Sequence, residues 1–280
     1  MIGGSTVNCN VANEKHIKGS CLSVEAIEKL REEYNKDHPN SHITETDPQK
    51  ILRIIMNALN CSDDERCVIK IIDEVALQKK YLKMLYAPNH PESWIKNPDE
   101  WLTNEDIDKV LDDFEKKYDD FQALVTTPID FDARVWGQCV EREFCNFSLE
   151  SEYKKGKKRF GAVFNLDKHD QPGSHWVSLF VSIPDKAIVF FDSALGGVPK
   201  EIDAFAKRIQ KQANTINIDL KFYTNATEHQ KGDTECGMYS IYFITEMLDD
   251  FKNLEKFLKG RIDDDTVFKL RDVYYNDPLK

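Results

Sequence analysis

The strongest constraint on the fold is a series of short apolar runs in the second half of the chain. "RFGAVFNL" (159–166), "HWVSLFVSI" (175–183) and "AIVFFDS" (187–193) are rich in β-branched and aromatic residues, and "IDLKFYT" (218–224) follows later. Runs of this length and composition predict strands, and the turn-forming "PDK" between the second and third predicts a hairpin. Helical patterns at about 198–212 and 236–248 alternate with these runs. The second half therefore predicts a mixed α+β domain.

The first third of the chain has a helical pattern instead. Residues 1 to about 20 show no pattern and predict a loose arm. Beyond them, apolar residues at helical spacing predict helices in "LSVEAIEKLREEYNK", "TDPQKILRIIMNAL" and "VALQKKYLKML", with N-caps at Ser23 and Asp47 and a capping box from Ser62 to Glu65. A proline-containing connection follows near residue 90. We therefore expect two domains, an N-terminal arm and helical extension (1–90) and a larger domain (91–280).

Charge and cysteine content exclude several classes of protein. The net charge of −11 argues against nucleic acid or an anionic membrane as the main partner. No run approaches the roughly 20 apolar residues that span a bilayer, and the first residues do not resemble a signal peptide, so we expect a soluble, intracellular protein. Seven cysteines without a C-x-x-C pair predict neither a disulfide framework nor a zinc site, and we expect reduced thiols and no metal or organic cofactor.

Cys236 begins the last strongly apolar helix, in "HQKGDTECGMY" (229–239). The unpaired N–H groups and the dipole at a helix N-terminus favour a thiolate, which is the nucleophilic form of cysteine. The predicted helix is apolar on nearly every side, so it would be buried with its N-terminus at a cleft. The alternative interpretation is a structural cysteine in the core.

Three further residues complete a pattern for nucleophilic catalysis. His175 opens one predicted strand and Asp192 closes the next, so the predicted hairpin brings both to the same end, as a base and the carboxylate that orients it. Gln230, six positions before Cys236, can donate to an oxyanion. The alternatives are a strand-end histidine, a turn aspartate and a solvated glutamine. We expect His229 to be solvated rather than to act as the base.

The order His, Asp, Gln, Cys in "GSHW", "FFDS" and "HQKGDTECGMY" resembles the ubiquitin-like-protein-specific (SUMO-type) cysteine proteases and their adenovirus-protease relatives. "EWLTNEDIDKVL" (100–111) is similar to the helix that starts their catalytic domain, although Asn104 stands where that family usually has Asp, and Glu235 where Asp is more usual. The resemblance implies a papain-like protease core with a mixed central sheet and flanking helices over residues 91–280. It also implies catalytic roles for His175, Asp192, Gln230 and Cys236.

The resemblance further implies what the protein acts on. Trp101 and Trp176 would flank a narrow tunnel for a Gly-Gly-like tail, and the alternative for Trp101 is a core aromatic residue on an amphipathic helix. The helical extension is more similar to the versions in large cytoplasmic DNA viruses, which process structural polyproteins. We therefore expect a thiol protease that cleaves after Gly-Gly-type sequences during virion maturation, located in the host cytoplasm and in the virion.

Three other functions stay open from the sequence. The first is an isopeptidase that removes SUMO or ubiquitin-like modifiers. The second is an effector acetyltransferase on the same scaffold, for which basic residues are scattered candidates at Lys168, Lys200, Lys207, Arg208 and Lys211. The third is a modifier-binding pseudoprotease, which would have no need of Cys236.

Overall fold

The chain divides into two compact units in the computed structural model, which describes residues 7–279. One unit runs to Glu92 and includes the segment from Asp272 onward, and the other spans Ser93–Arg271. The first six residues of the predicted arm lie outside the described residues. Among the described helices, none combines the length and apolar character needed to cross a membrane.

The first unit is helical, as the sequence predicts. It contains α1 (Val24–Asp37), α2 (Pro48–Ala58), a 3-10 helix (Glu65–Ile71) and α3 (Val75–Leu85). The predicted N-caps are confirmed, because Ser23 accepts from the N–H of Ala26 and Asp47 from that of Lys50. One apolar core joins these helices, with Ile27, Ile51, Ile55 and Val68 fully buried.

Two predictions for this unit are wrong. Residues 7–20 are not a loose arm throughout, since Val7 lies in the helical core and Asn10 and Ser20 are buried. Ser62 and Glu65 form no capping box, because Asp64 caps the 3-10 helix. The Glu65 carboxylate is buried and instead accepts from the N–H of Cys21 at 2.6 Å. The Glu65 side chain, which the local pattern predicts to be part of a cap, therefore accepts from a backbone N–H that is distant in sequence.

The second unit is mixed α+β, as predicted. Its strands are β1 (Phe121–Ala123), β2 (Thr127–Pro128), β3 (Arg134–Val135), β4 (Gln138–Cys139), β5 (Arg159–Asn165), β6 (Trp176–Ser182), β7 (Ala187–Phe191) and β8 (Lys221–Thr224). Its helices are α4 (Asn104–Lys117), α5 (Arg142–Cys145), α6 (Leu149–Lys154), α7 (Lys200–Thr215), α8 (Cys236–Asp249), α9 (Leu254–Lys259) and α10 (Asp264–Phe268), and α11 (Arg271–Tyr274) begins at its last residue. Short 3-10 helices span Glu92–Ile95 and Phe251–Asn253.

The central sheet has the strand order β1-β5-β6-β7-β8, and β2 also pairs with β5. β5, β6 and β7 are antiparallel neighbours, whereas β1, β2 and β8 add in parallel. Every residue of β6 and β7 is buried, because helices cover both faces of the sheet. This explains why both strands read as continuous apolar runs rather than alternating ones.

Two helices of different character cover these faces. α7 packs Ile202, Phe205 and Ile209 against one face. α8 lies on the other face, where Phe243 contacts Phe180 and Phe191. Because nearly all of α8 is buried, its first residue is held rigidly at one end of the sheet.

The cysteines are paired, which overturns the expectation of reduced thiols. Disulfides join Cys9 to Cys21, Cys61 to Cys67 and Cys139 to Cys145, with Cα–Cα distances of 5.1, 5.9 and 6.5 Å. These distances suit a disulfide. All seven cysteines fall within residues 7–279, and among them Cys236 alone is free. Spacing in the sequence could not reveal the pairs, because each depends on how two segments meet in space.

The pairing predicts the number of reactive thiols. Denatured without reductant, the protein is expected to take up one iodoacetamide group by intact mass, and after reduction seven. The Cys236→Ala variant should take up none without reductant, which identifies the free thiol. Seven groups on the unreduced protein would contradict the pairing.

Candidate active site

The strand register brings His175 and Asp192 together. Ser178 of β6 pairs with Phe191 of β7, so the residue before β6 and the residue after β7 meet at one end of the hairpin. Nε2 of His175 lies 2.7 Å from Oδ1 of Asp192. The sequence prediction that the hairpin joins these two residues is therefore confirmed in position.

Asp192 is buried and surrounded by donors. Besides His175, its carboxylate accepts from the N–H groups of Ala194 at 2.9 Å and Gly196 at 2.6 Å. Burial alone would raise its pKa, but these hydrogen bonds and the charge of His175 outweigh burial and lower the pKa below its ordinary value. Asn225 fixes the backbone, accepting from the N–H of Asp192 and donating to its carbonyl. Asp192 is thus held as an ionised carboxylate.

The Cys236 side chain lies near enough to the His175 ring to raise the pKa of that ring. Because Nε2 faces Asp192, the other ring nitrogen, Nδ1, is the one available to the sulfur. Burial acts to lower the pKa of His175, but the hydrogen bonds and charges of Asp192 and Cys236 raise it to about 9. At neutral pH the ring is therefore charged.

The N-terminus of α8 is open beside this thiol. Glu235 occupies the cap position, but its side chain makes no capping hydrogen bond. Instead, its carboxylate accepts from Nε and Nη2 of Arg271, both at 3.2 Å, in a buried ion pair. The guanidinium also stacks on Trp94, 4.4 Å from the ring centre. The first N–H groups of α8 therefore stay available to negative charge at Cys236.

Gln230 is buried next to Asp192 rather than solvated. Its Oε1 accepts from the hydroxyl of Ser193 at 2.7 Å, and its Nε2 donates one hydrogen to the carbonyl of Gly232 at 2.8 Å. Its backbone N–H donates to the carbonyl of Ser193. The amide orientation is thus fixed, and one N–H of the side chain remains for another acceptor.

His229 is not the solvated residue that the sequence predicts. Its ring is fully buried against Phe191 and Phe257. Nε2 donates to the carbonyl of Phe257 at 2.8 Å and Nδ1 accepts from the N–H of Ile262 at 3.1 Å, so both nitrogens are occupied. Burial lowers its pKa. A neutral ring with no free nitrogen is structural and has no access to the Cys236 thiol.

Trp176 forms a wall beside the start of α8. Its Nε1 donates to the carbonyl of Leu102 at 3.0 Å, and its ring is buried. A Cβ on Gly237 would stand 3.0 Å from Cβ of Leu102 and 3.2 Å from Cδ1 of Trp176, so this wall lies directly against the residue after Cys236. Trp101 adjoins Leu102 in sequence and is 40% exposed. Trp101 is therefore not the core aromatic of the alternative interpretation.

Sequence reasoning missed the residues that support the site. Ser193, Asn225 and Arg271 hold Gln230, Asp192 and Glu235, respectively. Ser193 directly follows Asp192, so its position beside a predicted site residue could have marked it as part of the site. Asn225 and Arg271 lie more than 30 positions from the groups they hold, and no local pattern marks them. Within residues 7–279, no group of three or more His, Cys, Asp or Glu residues is arranged to hold a metal ion.

A family model matches the segment that contains these residues. Residues 162–277 match the Ulp1 protease family, C-terminal catalytic domain. This segment is thus similar to the catalytic domain of Ulp1-type proteases. His175, Asp192, Gln230 and Cys236 all fall within it, whereas Trp101 precedes it. The resemblance to SUMO-type cysteine proteases is confirmed.

Similar proteins come from large DNA viruses. A cysteine protease of African swine fever virus is 34% identical over 131 residues, which cover 44% of this chain and 48% of the viral protein. A thiol protease of Acanthamoeba polyphaga mimivirus is 28% identical over 160 residues, covering 54% of this chain and 51% of that protein. The chain thus matches about half the length of each curated relative. Their names agree with the predicted cysteine peptidase class.

A solved structure confirms the fold over more of the chain. The crystal structure of a protease of African swine fever virus aligns with a TM-score of 0.71, covering 98% of this chain and 97% of that one at 24% identity. The helical unit and the mixed α+β unit therefore each have a counterpart in one known fold.

The interaction of Asp192 with His175 predicts a shift in pH dependence. Because Asp192 and Cys236 together raise the pKa of His175 to about 9, the alkaline limb of kcat/KM for a glycyl peptide should fall near pH 9. In Asp192→Asn this limb should move to lower pH, and kcat/KM at pH 7 should fall about 100-fold. Asp185→Asn, at the opposite end of the hairpin, is the matched control. An unshifted limb in Asp192→Asn would contradict the coupling.

Proposed function

We propose that this chain is a thiol endopeptidase in which Cys236 is the nucleophile. The observation that carries the proposal is the hydrogen bond of His175 with Asp192 beside Cys236, with the thiol at the open N-terminus of a buried helix. A structural cysteine would need neither the charged histidine nor the uncapped helix. The match to the Ulp1 protease family supports the same chemistry.

In the proposed mechanism, the Cys236 thiolate attacks the carbonyl carbon of the scissile bond. The C=O electron pair moves to oxygen, and the oxyanion accepts hydrogen bonds from the remaining N–H of Gln230 and from backbone N–H groups at the start of α8. As the C–N bond breaks, the His175 imidazolium gives its proton to the leaving amine. Neutral His175 then takes a proton from water, whose oxygen displaces the thiol from the thioester. Asp192 keeps the ring in the required orientation throughout.

We further propose that the residues before the cleaved bond are glycines. Trp176 is fixed by its bond to Leu102 and stands beside Gly237, so little space remains next to the thiol for a substrate side chain. Exposed Trp101 is placed, in this proposal, on the other side of the same channel. Two indoles across an extended strand leave room for hydrogen atoms but not for a Cβ.

The substrate that we favour is a viral structural polyprotein cleaved after Gly-Gly-type sequences during virion maturation in the host cytoplasm. Its support is that relatives in two viruses share the domain, and that the helical extension has a counterpart in the viral structure. In this proposal residues 1–90 are the extension and 91–280 the protease domain. The second candidate is removal of SUMO-type modifiers, favoured by relatives named SUMO-1 cysteine protease.

Two activity probes test the reaction and separate these substrates. The full chain is incubated with SUMO or ubiquitin propargylamide and, separately, with a Gly-Gly peptide vinyl sulfone, and adducts are read by intact mass. We expect a covalent adduct with the peptide probe and none in Cys236→Ala. Labelling by the modifier probe would favour deconjugation. No adduct with either probe on a folded protein would contradict the protease proposal and favour an acetyltransferase or a binding module.

The narrow channel predicts a steep preference for glycine. Replacing the second glycine before the cleaved bond by alanine should lower kcat/KM about 100-fold or more, because the methyl group has no space between the indoles. Trp101→Ala should reduce that preference to below about 10-fold. Tyr153→Ala, another aromatic residue that is 40% exposed, serves as the control and should retain the full preference. Equal cleavage of both peptides by the native protein would contradict the channel.

A further inference from the structure

The loop between Gln230 and Cys236 must be held by groups outside it. Residues 231–235 form neither helix nor strand, and they include Gly232. Their shape nevertheless sets the distance from the Gln230 amide to the Cys236 thiol. A polar segment of this kind keeps one conformation only where its backbone groups have partners.

Asp264 supplies such partners to both sides of the loop. Its Oδ2 accepts from the N–H of Lys231 at 3.0 Å and from that of Gly232 at 2.8 Å. Its Oδ1 accepts from the hydroxyl of Tyr239 at 2.8 Å. One carboxylate thus joins the residues just after Gln230 to the first turn of α8.

Neighbouring residues of the same segment reinforce this attachment. Nε of Arg261 donates to the carbonyl of His229 at 3.1 Å, and the N–H of Ile262 donates to Nδ1 of the same histidine. At the far end of the loop, Arg271 holds the carboxylate of Glu235. The loop is therefore bonded to residues 261–271 at its start and at its end, and so is His229 just before it.

We propose that Asp264 is a positioning residue for the oxyanion-binding amide of Gln230. The inference rests on the proposed function, since it assigns a role within the proposed reaction. Gly232 both donates its N–H to Asp264 and accepts the side-chain N–H of Gln230 through its carbonyl. Movement of Gly232 therefore moves the amide. A displacement of about 1 Å at an oxyanion donor costs up to about 100-fold in rate.

Two measurements on the full chain test this role. The first is kcat and KM on a fluorogenic peptide ending in Gly-Gly. The second is the rate of alkylation of Cys236 by iodoacetamide, a displacement at carbon that forms no oxyanion. For Asp264→Ala we expect kcat to fall about 10- to 100-fold, with KM and the alkylation rate within about 2-fold of native. Asp264→Asn, which keeps one acceptor oxygen, should recover part of the loss.

Asp265→Asn is the matched control, because this exposed carboxylate lies on the same short helix and should leave all three quantities unchanged. Circular dichroism and the melting temperature establish that each variant is folded. Unchanged kcat in folded Asp264→Ala would overturn the positioning role alone. Alkylation that falls in step with kcat would also overturn it, since Asp264 would then act on the thiol. A native protein that is alkylated at Cys236 yet cleaves no glycyl peptide would contradict the proposed function and the positioning role together.

Discussion

The site depends on the register between β6 and β7. Both strands are buried on both faces, so a slip by one residue would drive every side chain of β7 to the opposite face of a packed core. The same slip would separate His175 from Asp192, which meet only because the last pair of the ladder is Ser178 with Phe191. Core packing therefore sets the geometry of a polar pair that contributes little to the core itself.

The charge distribution at the start of α8 depends on which partner the Glu235 carboxylate bonds. A glutamate at the cap position is able to bond its own helix, where its charge would compete with a thiolate for the same N–H groups. The buried pairing with Arg271 removes that competition. Burying two charges is costly, and here Trp94 stacking and two hydrogen bonds offset part of that cost, whereas Nη1 of Arg271 is buried without a hydrogen-bond partner among the described residues. A stability cost of this kind is typical of sites that need an unusual local field.

Much of the fold and the four polar residues of the site could be predicted because their signals are local. Apolar runs gave the central strands, and the ends of those runs marked His175 and Asp192. Features that depend on distant segments could not be predicted in this way. Glu65 accepts from the distant N–H of Cys21 instead of capping a helix, and the contacts of Asp264 and Arg271 with the loop before Cys236 were likewise missed. The cysteine pairs are close in sequence but were missed because spacing alone does not show which thiols meet. β1 and β2 are too short to show the alternating pattern of apolar residues that predicts a strand.

The residues that hold the loop before Cys236 in place are synthesised after the residues of the site itself. Cys236, His175 and Asp192 are all synthesised before the segment from Arg261 to Arg271 that braces their loop. When Cys236 has just been synthesised, the growing chain still lacks the residues that fix the Gln230 amide. It also lacks Arg271, which holds Glu235 away from the end of α8. In such a chain the geometry around Cys236 is completed only when the segment from Arg261 to Arg271 has folded against the loop.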